Sequence, residues 1–343
     1  MKAVIASIFI YILALGVTPA YSLVLKLGTV APEGSPWHDA MLETAQKWKE
    51  LSGGRVTVRI YAGGVAGDEK DMLRKIRIGQ LHATALTSST LLEIIPDIEA
   101  LSLPMLVRTD GELDYVIEKL GPEFEARLAK KGFKVLNWSC TGWVYFFTKE
   151  PVTTPDDMKR QKLFFWGSDT AYIELLKSWG FNPVPLGITD LLPSLQTGLV
   201  DAFPAPPAAA VLFQMFTLAP HMTDFRWQPL PGTTVVSMKQ WNKIPADLRP
   251  ALEDAAREVG TRLQTRIREL EQEAIAVMME HGLTVHPVPP AVEEAWRTFL
   301  REEGYPAFVG PRISKEMFDT VSSLLDEYRR SRDLETATAT GNQ

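Results

Sequence analysis

Hydrophobic and polar positions follow two periods along the chain, and segments with one period alternate with segments of the other. Residues 55–60 alternate between apolar and polar, which predicts a strand. Apolar residues in 38–51 recur at helical spacing, and the acidic start at 68–69 indicates a second helix that ends before Gly79. From 245 to 282 a helical pattern continues, broken only by Gly260, and is long enough to brace two lobes. Alternating strands and helices predict an α/β fold.

One local pattern occurs twice at a distance too long for a solenoid repeat. Residues 76–84 (IRIGQLHAT) and 195–203 (LQTGLVDAF) each read as a helix end, a glycine and a strand of small and apolar residues. This echo predicts two similar α/β lobes in one chain. The segments 146–157 and 229–236 have the pattern expected where the chain crosses from one lobe to the other and back.

The first 22 residues have the three parts of a secretory signal peptide. Lys2 precedes a charge-free apolar run of about 15 residues, and small residues stand at the positions before a cut after Ser22. The alternative is an uncleaved membrane anchor, but an anchor normally needs about 18 to 20 apolar residues. The sequence therefore predicts an exported protein.

Composition excludes several classes of function. The net charge of −6 argues against nucleic-acid binding, which requires a basic face. A single cysteine, Cys140, excludes an internal disulfide and a multi-cysteine metal cluster, and we expect it to be a small buried apolar residue. His281 and His286 have no third ligand nearby in sequence. No catalytic or phosphate-binding motif occurs, so we expect neither catalysis nor a metal or cofactor.

Aromatic residues are unusually dense. The chain has nine tryptophans, and aromatic clusters occur at 138–147, 164–166 and 225–227. In a strand, Phe164 and Trp166 point to the same face. One face of such a strand packs into the core, and the other is expected to line a cleft, because α/β sheets bind ligands where their strands end.

Four motifs carry a resemblance that spans about residues 23–325: LKLGTVAPEGSPW, SGGRVTVRIYAGGVAGDEKDMLRKIRIGQLHA, KEPVTTPDDMKRQKL and GFNPVPLGITDLLPSLQTGLVDA. In this order they resemble the extracytoplasmic solute-binding receptors of TRAP-type secondary transporters, the DctP-like group. The resemblance implies a two-lobed, type II-like periplasmic-binding-protein fold with a hinge and a long bridging helix. It also implies a periplasmic receptor without catalytic activity, which closes around a small organic solute and delivers it to a TRAP-type membrane permease.

The expected lobes are interleaved, so that no single cut separates them. After the signal peptide 1–22, lobe I comprises 23–147 with about 233–282, lobe II comprises 148–232 with about 283–330, and 331–343 form a frayed tail. The predicted partners are the solute and the permease, with no nucleic acid, and the receptor is expected to be a monomer or a homodimer. Two alternatives stay open: a secreted two-lobed enzyme that acts on a small organic molecule, and a ligand sensor of the same fold.

The chain departs from the family pattern at the ligand. Many members carry an arginine in a K-x-R-x-P run, where it clamps the ligand carboxylate. When Lys162 is aligned with the lysine of the family motif, Phe164 takes the position of the arginine and Trp166 takes the position of the proline. The asparagine that often follows the TG-x-x-D-G block is also missing after Asp201. The resemblance therefore implies a ligand that is apolar, aromatic or neutral-polar, or a cation held by ring faces.

Candidate cleft residues come from both predicted lobes. They are Trp37, Thr87, Ser88, Trp143, Phe164, Trp166, Phe203 and Trp227, with Ser89 beside the two hydroxyl residues. Arg108 and Arg226 are alternative sources of a carboxylate clamp.

Overall fold

A computed structural model of the protein describes residues 22–166 and 170–340. The predicted signal peptide lies outside these residues, apart from Ser22. The strands are β1 Leu23–Gly28, β2 Val56–Tyr61, β3 Ala83–Thr87, β4 Phe133–Thr148, β5 Lys162–Trp166, β6 Asn182–Leu186, β7 Ala202–Ala205, β8 His221–Asp224, β9 Gln228–Ser237 and β10 Thr284–Pro287.

The α-helices are α1 Pro36–Leu51, α2 Glu69–Arg77, α3 Ser88–Leu91, α4 Asp110–Lys130, α5 Pro155–Lys159, α6 Thr170–Ser178, α7 Ile188–Thr197, α8 Pro207–Leu212, α9 Met238–Trp241, α10 Arg249–Glu280, α11 Pro290–Phe299, α12 Tyr305–Phe308 and α13 Lys315–Thr340. Short 3₁₀ segments occupy Pro96–Ser102 and Met215–Leu218, and a π-helical turn occupies Leu300–Gly304. Among the described helices, none is both long enough and apolar enough to cross a membrane.

Strand β4 belongs to two sheets and joins them. Its first half lies in a sheet of order β2-β1-β3-β9-β4, in which β1 runs parallel to β2 and β3, and β9 runs antiparallel to β3 and β4. Its second half lies in a sheet of order β4-β7-β5-β6, and β8 and β10 extend from β4 on another branch. The aromatic segment of β4 therefore passes through the middle of the molecule.

A break in register marks the passage of β4 from one sheet to the other. The pairing of β4 with β9 shifts between Cys140 and Trp143. Gly142 lies inside this bulge with φ of 127°, a conformation that side chains rarely adopt, and a Cβ there would lie 3.1 Å from Pro206 Cβ. A glycine is therefore required where the two sheets meet.

Helix α10 spans both sheets, as the sequence predicts. Its 32 residues make it about 48 Å long, and it packs against α1 beside the first sheet and α8 beside the second. Gly260 allows close contact with β4, because a Cβ at that position would lie 2.7 Å from Asn137 Cβ. Helix α10 therefore packs against elements of both sheets and connects them.

The repeated sequence pattern has a repeated structure. Helix α2 is followed by Gly79 with φ of 78° and then by β3, and helix α7 is followed by Gly198 with φ of 74° and then by β7. Both glycines are left-handed, which ends each helix and turns the chain into an inner strand of its sheet. The predicted echo is confirmed as a shared helix–glycine–strand unit.

The C-terminal helices pack on both halves of the molecule. Trp296 of α11 is buried and donates its indole N–H to the carbonyl of Thr153 at 2.9 Å. At the other end, Arg329 of α13 forms an ion pair with the buried Glu112 of α4 at 2.8 Å. This segment therefore contributes to the walls between the sheets rather than forming a separate domain.

Candidate functional site

A cleft of about 1020 Å³ lies between the two sheets. On one side it is lined by the loop after β1, by α1 and by the end of β3. On the other side it is lined by β5, by α6 and by the segment after β7, and the C-terminal region adds Phe308 and Arg312. The cleft lies at the ends of inner strands of both sheets, where α/β folds bind ligands.

Aromatic side chains form one continuous wall of this cleft. We call the following lining residues the aromatic wall: Phe146, Phe164, Phe165, Tyr172, Trp179, Phe181, Trp227, Trp296, Phe299 and Phe308. Their rings pack on one another, with centroids 5.3 Å apart for Tyr172 and Phe308 and 5.3 Å apart for Trp227 and Trp296. Edge-to-face packing of this kind fixes the ring orientations, so the wall is rigid and apolar.

A buried carboxylate lies at the opposite, polar side of the cleft. Glu69 is 4% exposed, and its Oε2 accepts hydrogen bonds from both the backbone N–H and the hydroxyl of Thr87, each at 2.9 Å. Burial raises the pKa of Glu69, and the hydrogen bonds from Thr87 oppose that shift. Ser88 accepts a hydrogen bond from the hydroxyl of Ser102 at 2.8 Å. The hydroxyl groups at this edge are therefore held in fixed positions by the protein itself.

The two cations that the structure describes in the cleft wall are each paired with a carboxylate of the protein. Lys70 contacts Glu93 at 2.7 Å, and Arg312 binds both carboxylate oxygens of Glu99 at 2.8 and 2.9 Å. The side chains of Arg312 and Glu99 are 13% and 12% exposed, respectively. Lys70 and Arg312 are the cleft-lining lysine and arginine residues among those that the structure describes. Neither cation is positioned as a free carboxylate clamp.

Five of the candidate residues line the cleft: Trp37, Thr87, Ser88, Phe164 and Trp227. Ser89 also lines it. Phe164 is 3% exposed and belongs to the aromatic wall. Trp166 is the last residue of β5, but its side chain lies outside the described part of the chain.

Two candidates do not line the cleft and require correction. Trp143 donates its indole N–H to Asp110 at 3.0 Å and lies under the guanidinium of Arg226, whereas its neighbour Val144 lines the cleft. Successive side chains of a strand point to opposite faces, so Trp143 faces away. Phe203 is fully buried and stacks on Phe147 with a centroid distance of 5.1 Å. Its role is in the core of the second sheet.

The alternative arginines also lie outside the cleft lining. Arg226 contacts the buried Glu271 at 2.7 Å and Asp110 at 3.4 Å, behind β4. Burial opposes its charge, but the carboxylate of Glu271 and the hydroxyl of Tyr145 raise the pKa of Arg226 above its usual value. Arg108 is exposed and lies two residues before α4, outside the cleft lining. The structure therefore does not support either residue as the clamp.

Sequence reasoning missed several residues of the cleft. Glu69 looked like part of a helix start, and its backbone position does lie in the first turn of α2. Trp296, Phe308 and Arg312 reach the cleft from the C-terminal region, and no local motif distinguishes them from ordinary helix residues. Only the excess of aromatic residues was available as a signal in the sequence.

His286 pairs with His221 and not with His281, whose ring contacts the carbonyl of Val277. His286 lies 2.9 Å from a ring nitrogen of His221, and burial together with His221 lowers the pKa of His286. Within residues 22–166 and 170–340, no group of three or more His, Cys, Asp or Glu residues is arranged to hold a metal ion.

Cys140 is expected to be unreactive in the folded protein. It is 6% exposed, and burial raises the pKa of its thiol to about 11, so almost none is present as the nucleophilic thiolate near neutral pH. A chromogenic disulfide reagent at mildly alkaline pH should release no colour from native protein and one equivalent after guanidinium denaturation. Rapid labelling of the native chain would contradict this environment.

Comparison with known proteins places the chain in one family. Residues 27–304 match DctP, the bacterial extracellular solute-binding proteins of family 7. The C4-dicarboxylate-binding periplasmic protein DctP of Rhodobacter capsulatus is 24% identical over 284 residues, which cover 82% of this chain and 85% of that protein.

Solved structures show the same two-lobed fold. The sugar acid binding protein DctPAm of Advenella mimigardefordensis, in complex with galactonate, matches with a TM-score of 0.82 and 20% identity over 89% of this chain and 98% of that one. A TRAP periplasmic solute binding protein of Ralstonia eutropha, with bound (S)-2-acetolactate, matches with a TM-score of 0.82 and 23% identity over 90% and 100% of the two chains. With its two sheets, its bridging helix and the cleft between them, this chain belongs to the DctP family of bacterial extracellular solute-binding proteins.

Proposed function

We propose that the protein is a periplasmic receptor that captures a small organic solute in the cleft between its sheets and delivers it to a TRAP-type membrane permease. The observation that carries this proposal is a cleft of about 1020 Å³ lined by both halves of the molecule. A ligand there contacts both halves at once, so its binding stabilises the arrangement in which they approach each other. The interleaved lobe boundaries predicted from the sequence are part of this proposal.

The same proposal includes the export of the protein, its oligomeric state and its lack of catalytic activity. The family is extracellular, and a signal peptide at residues 1–22 is the proposed route to the periplasm. We take the receptor to work as a monomer or homodimer, without nucleic acid, and to return its ligand chemically unchanged. The curated relatives named for their ligands bind acids, such as C4-dicarboxylates, 2,3-diketo-L-gulonate and sialic acid.

Filling the cleft should abolish ligand binding without unfolding the protein. Ala85 of β3 lines the cleft and is half-buried, so Ala85→Trp places a bulky ring in the ligand volume. Ala129 is exposed on α4 and is not a lining residue, so Ala129→Trp is the matched control. We expect pooled small-molecule extracts to raise the melting temperature of the wild type and the control but not of Ala85→Trp.

The bound compound is then released by denaturation and identified by mass spectrometry. Recovery of an unchanged compound supports a receptor, whereas its conversion to a product during incubation favours an enzyme. Equal stabilisation of Ala85→Trp and the wild type would place the ligand outside the cleft.

A further inference from the structure

We infer that the cleft is built for an uncharged or cationic organic compound with a flat apolar body, and that it rejects carboxylates. This inference rests on the proposed receptor function and specifies its class of ligand. It follows from the pairing of the cations in the cleft, the surplus of acidic groups and the aromatic wall.

The cations of the cleft are already neutralised by the protein. The guanidinium of Arg312 is bound to both oxygens of Glu99, and Lys70 contacts Glu93. A ligand carboxylate that entered the cleft would therefore meet a guanidinium whose positive charge is already largely neutralised by Glu99. Without charge-assisted donors, the ligand carboxylate would lose its hydration and gain little in return.

Acidic groups outnumber basic groups along the cleft. Asp68 also lines it without a lysine or arginine partner in the described residues, and it accepts from the backbone N–H of Asp71 at 2.8 Å. Glu69 lines it too, but burial raises the pKa of Glu69, which reduces its negative charge. The field in the cleft therefore disfavours an anion and tolerates a cation.

The aromatic wall already holds a cation of the protein. The guanidinium carbon of Arg312 lies 5.2 Å from the ring centroid of Tyr172 and 5.8 Å from that of Phe308. These distances are typical of cation–π contacts, and half-buried rings of the wall such as Phe165, Trp227 and Phe299 can stack on a flat uncharged ligand. The wall thus favours planar apolar groups and does not depend on negative charge in the ligand.

The cleft also contains an uncharged hydrogen-bond donor that has no partner among the described residues. Trp37 is a lining residue, and its indole nitrogen is buried without a hydrogen-bond partner among the described residues. An indole N–H suits a neutral acceptor such as an amide carbonyl or a hydroxyl oxygen. This donor gives the proposed ligand a polar point of attachment that needs no carboxylate.

The test separates a small-molecule extract by charge before binding. The extract is passed through a strong anion exchanger at neutral pH, and the flow-through and the eluted anions are each tested for a shift in the melting temperature of the full chain. We expect the stabilising compounds in the flow-through. Stabilisation only by the eluted anions would overturn this inference while leaving the receptor function intact.

A control and a matched probe pair complete the test. Any stabilising fraction is retested on Ala85→Trp, which should lose the shift if the compound occupies the cleft. Calorimetry with phenylacetamide and phenylacetate then compares one ring with and without a negative charge. We expect the amide to bind at least about tenfold more tightly, because the acid loses its hydration without gaining a charge-assisted contact. Tighter binding of phenylacetate would overturn the inference, and no stabilisation by either fraction would count against the receptor function itself.

Discussion

Replacing Arg226 by methionine is expected to lower the free energy of unfolding by about 3 kcal/mol, because it leaves a buried carboxylate without its cation. The carboxylate is that of Glu271, whose side chain is 5% exposed and lies 2.7 Å from the guanidinium of Arg226. After the substitution, the carboxylate of Glu271 would still accept a hydrogen bond from the hydroxyl of Tyr145 at 3.1 Å, but its cation would be gone. We take the lower end of the usual range because the Arg226 side chain is 32% exposed.

The ion pair between Arg226 and Glu271 connects parts of the molecule that are distant in sequence. Glu271 belongs to α10, Tyr145 belongs to the second half of β4, and Arg226 lies between β8 and β9. Asp110 at the start of α4 contacts Arg226 and also Arg268 of α10. The network therefore ties the bridging helix to the strand that joins the two sheets, and we expect its disruption to loosen the contact between them.

Urea denaturation of two arginine variants checks this prediction. Arg266 lies on the same helix and pairs with Glu269 and Glu273, but all three side chains are about half exposed, so Arg266→Met is the matched control and should change stability very little. Replacing both Arg226 and Glu271 by methionine should recover part of the loss, since no unpaired charge remains. A variant Arg226→Met as stable as Arg266→Met would show that the pair contributes nothing.

The fold was predictable to the extent that it is encoded in local patterns. The helical period from 245 to 282 corresponds to α10 Arg249–Glu280, and the helix–glycine–strand echo corresponds to the units that end in β3 and β7. These features depend on side-chain spacing and on glycines that must be left-handed. Both are properties of a short stretch of chain, so a sequence without any alignment contains them.

The cleft was less predictable because its walls meet over long distances in sequence. Arg312 and Glu99 are separated by 213 residues, and no local pattern pairs them. Trp143 was misplaced because the aromatic segment of β4 is buried on both of its faces and contains a bulge, so composition does not reveal which rings face the ligand. Phe164, by contrast, was identified through its place in a family motif and does line the cleft.

Replacing Glu99 by glutamine is expected to convert the cleft into one that accepts a carboxylate. The substitution keeps an oxygen that can accept from Arg312 but removes a negative charge that its guanidinium binds through two hydrogen bonds. Arg312 is 13% exposed and lines the cleft, so its positive charge would then act more strongly on any ligand beside it. At low exposure such a charge is weakly screened, and a charge-assisted contact with a carboxylate becomes favourable.

The measurement is the ratio of the affinities for phenylacetate and phenylacetamide, obtained by calorimetry for the wild type and the variant. We expect this ratio to rise by at least about tenfold in Glu99→Gln, which corresponds to about 1.4 kcal/mol. The melting temperature of the ligand-free variant is recorded alongside, since weakening a buried ion pair also lowers stability.

Glu93→Gln is the matched control for this gain. It removes the same charge from the other ion pair of the cleft, but Lys70 and Glu93 are 40% and 33% exposed, so water already screens them. We expect a much smaller rise in the affinity ratio than in Glu99→Gln. An equal rise in both variants would mean that the overall charge of the cleft decides the ligand class. No rise in Glu99→Gln, in a variant that remains folded, would show that Arg312 does not act on the ligand and that the aromatic wall alone excludes carboxylates.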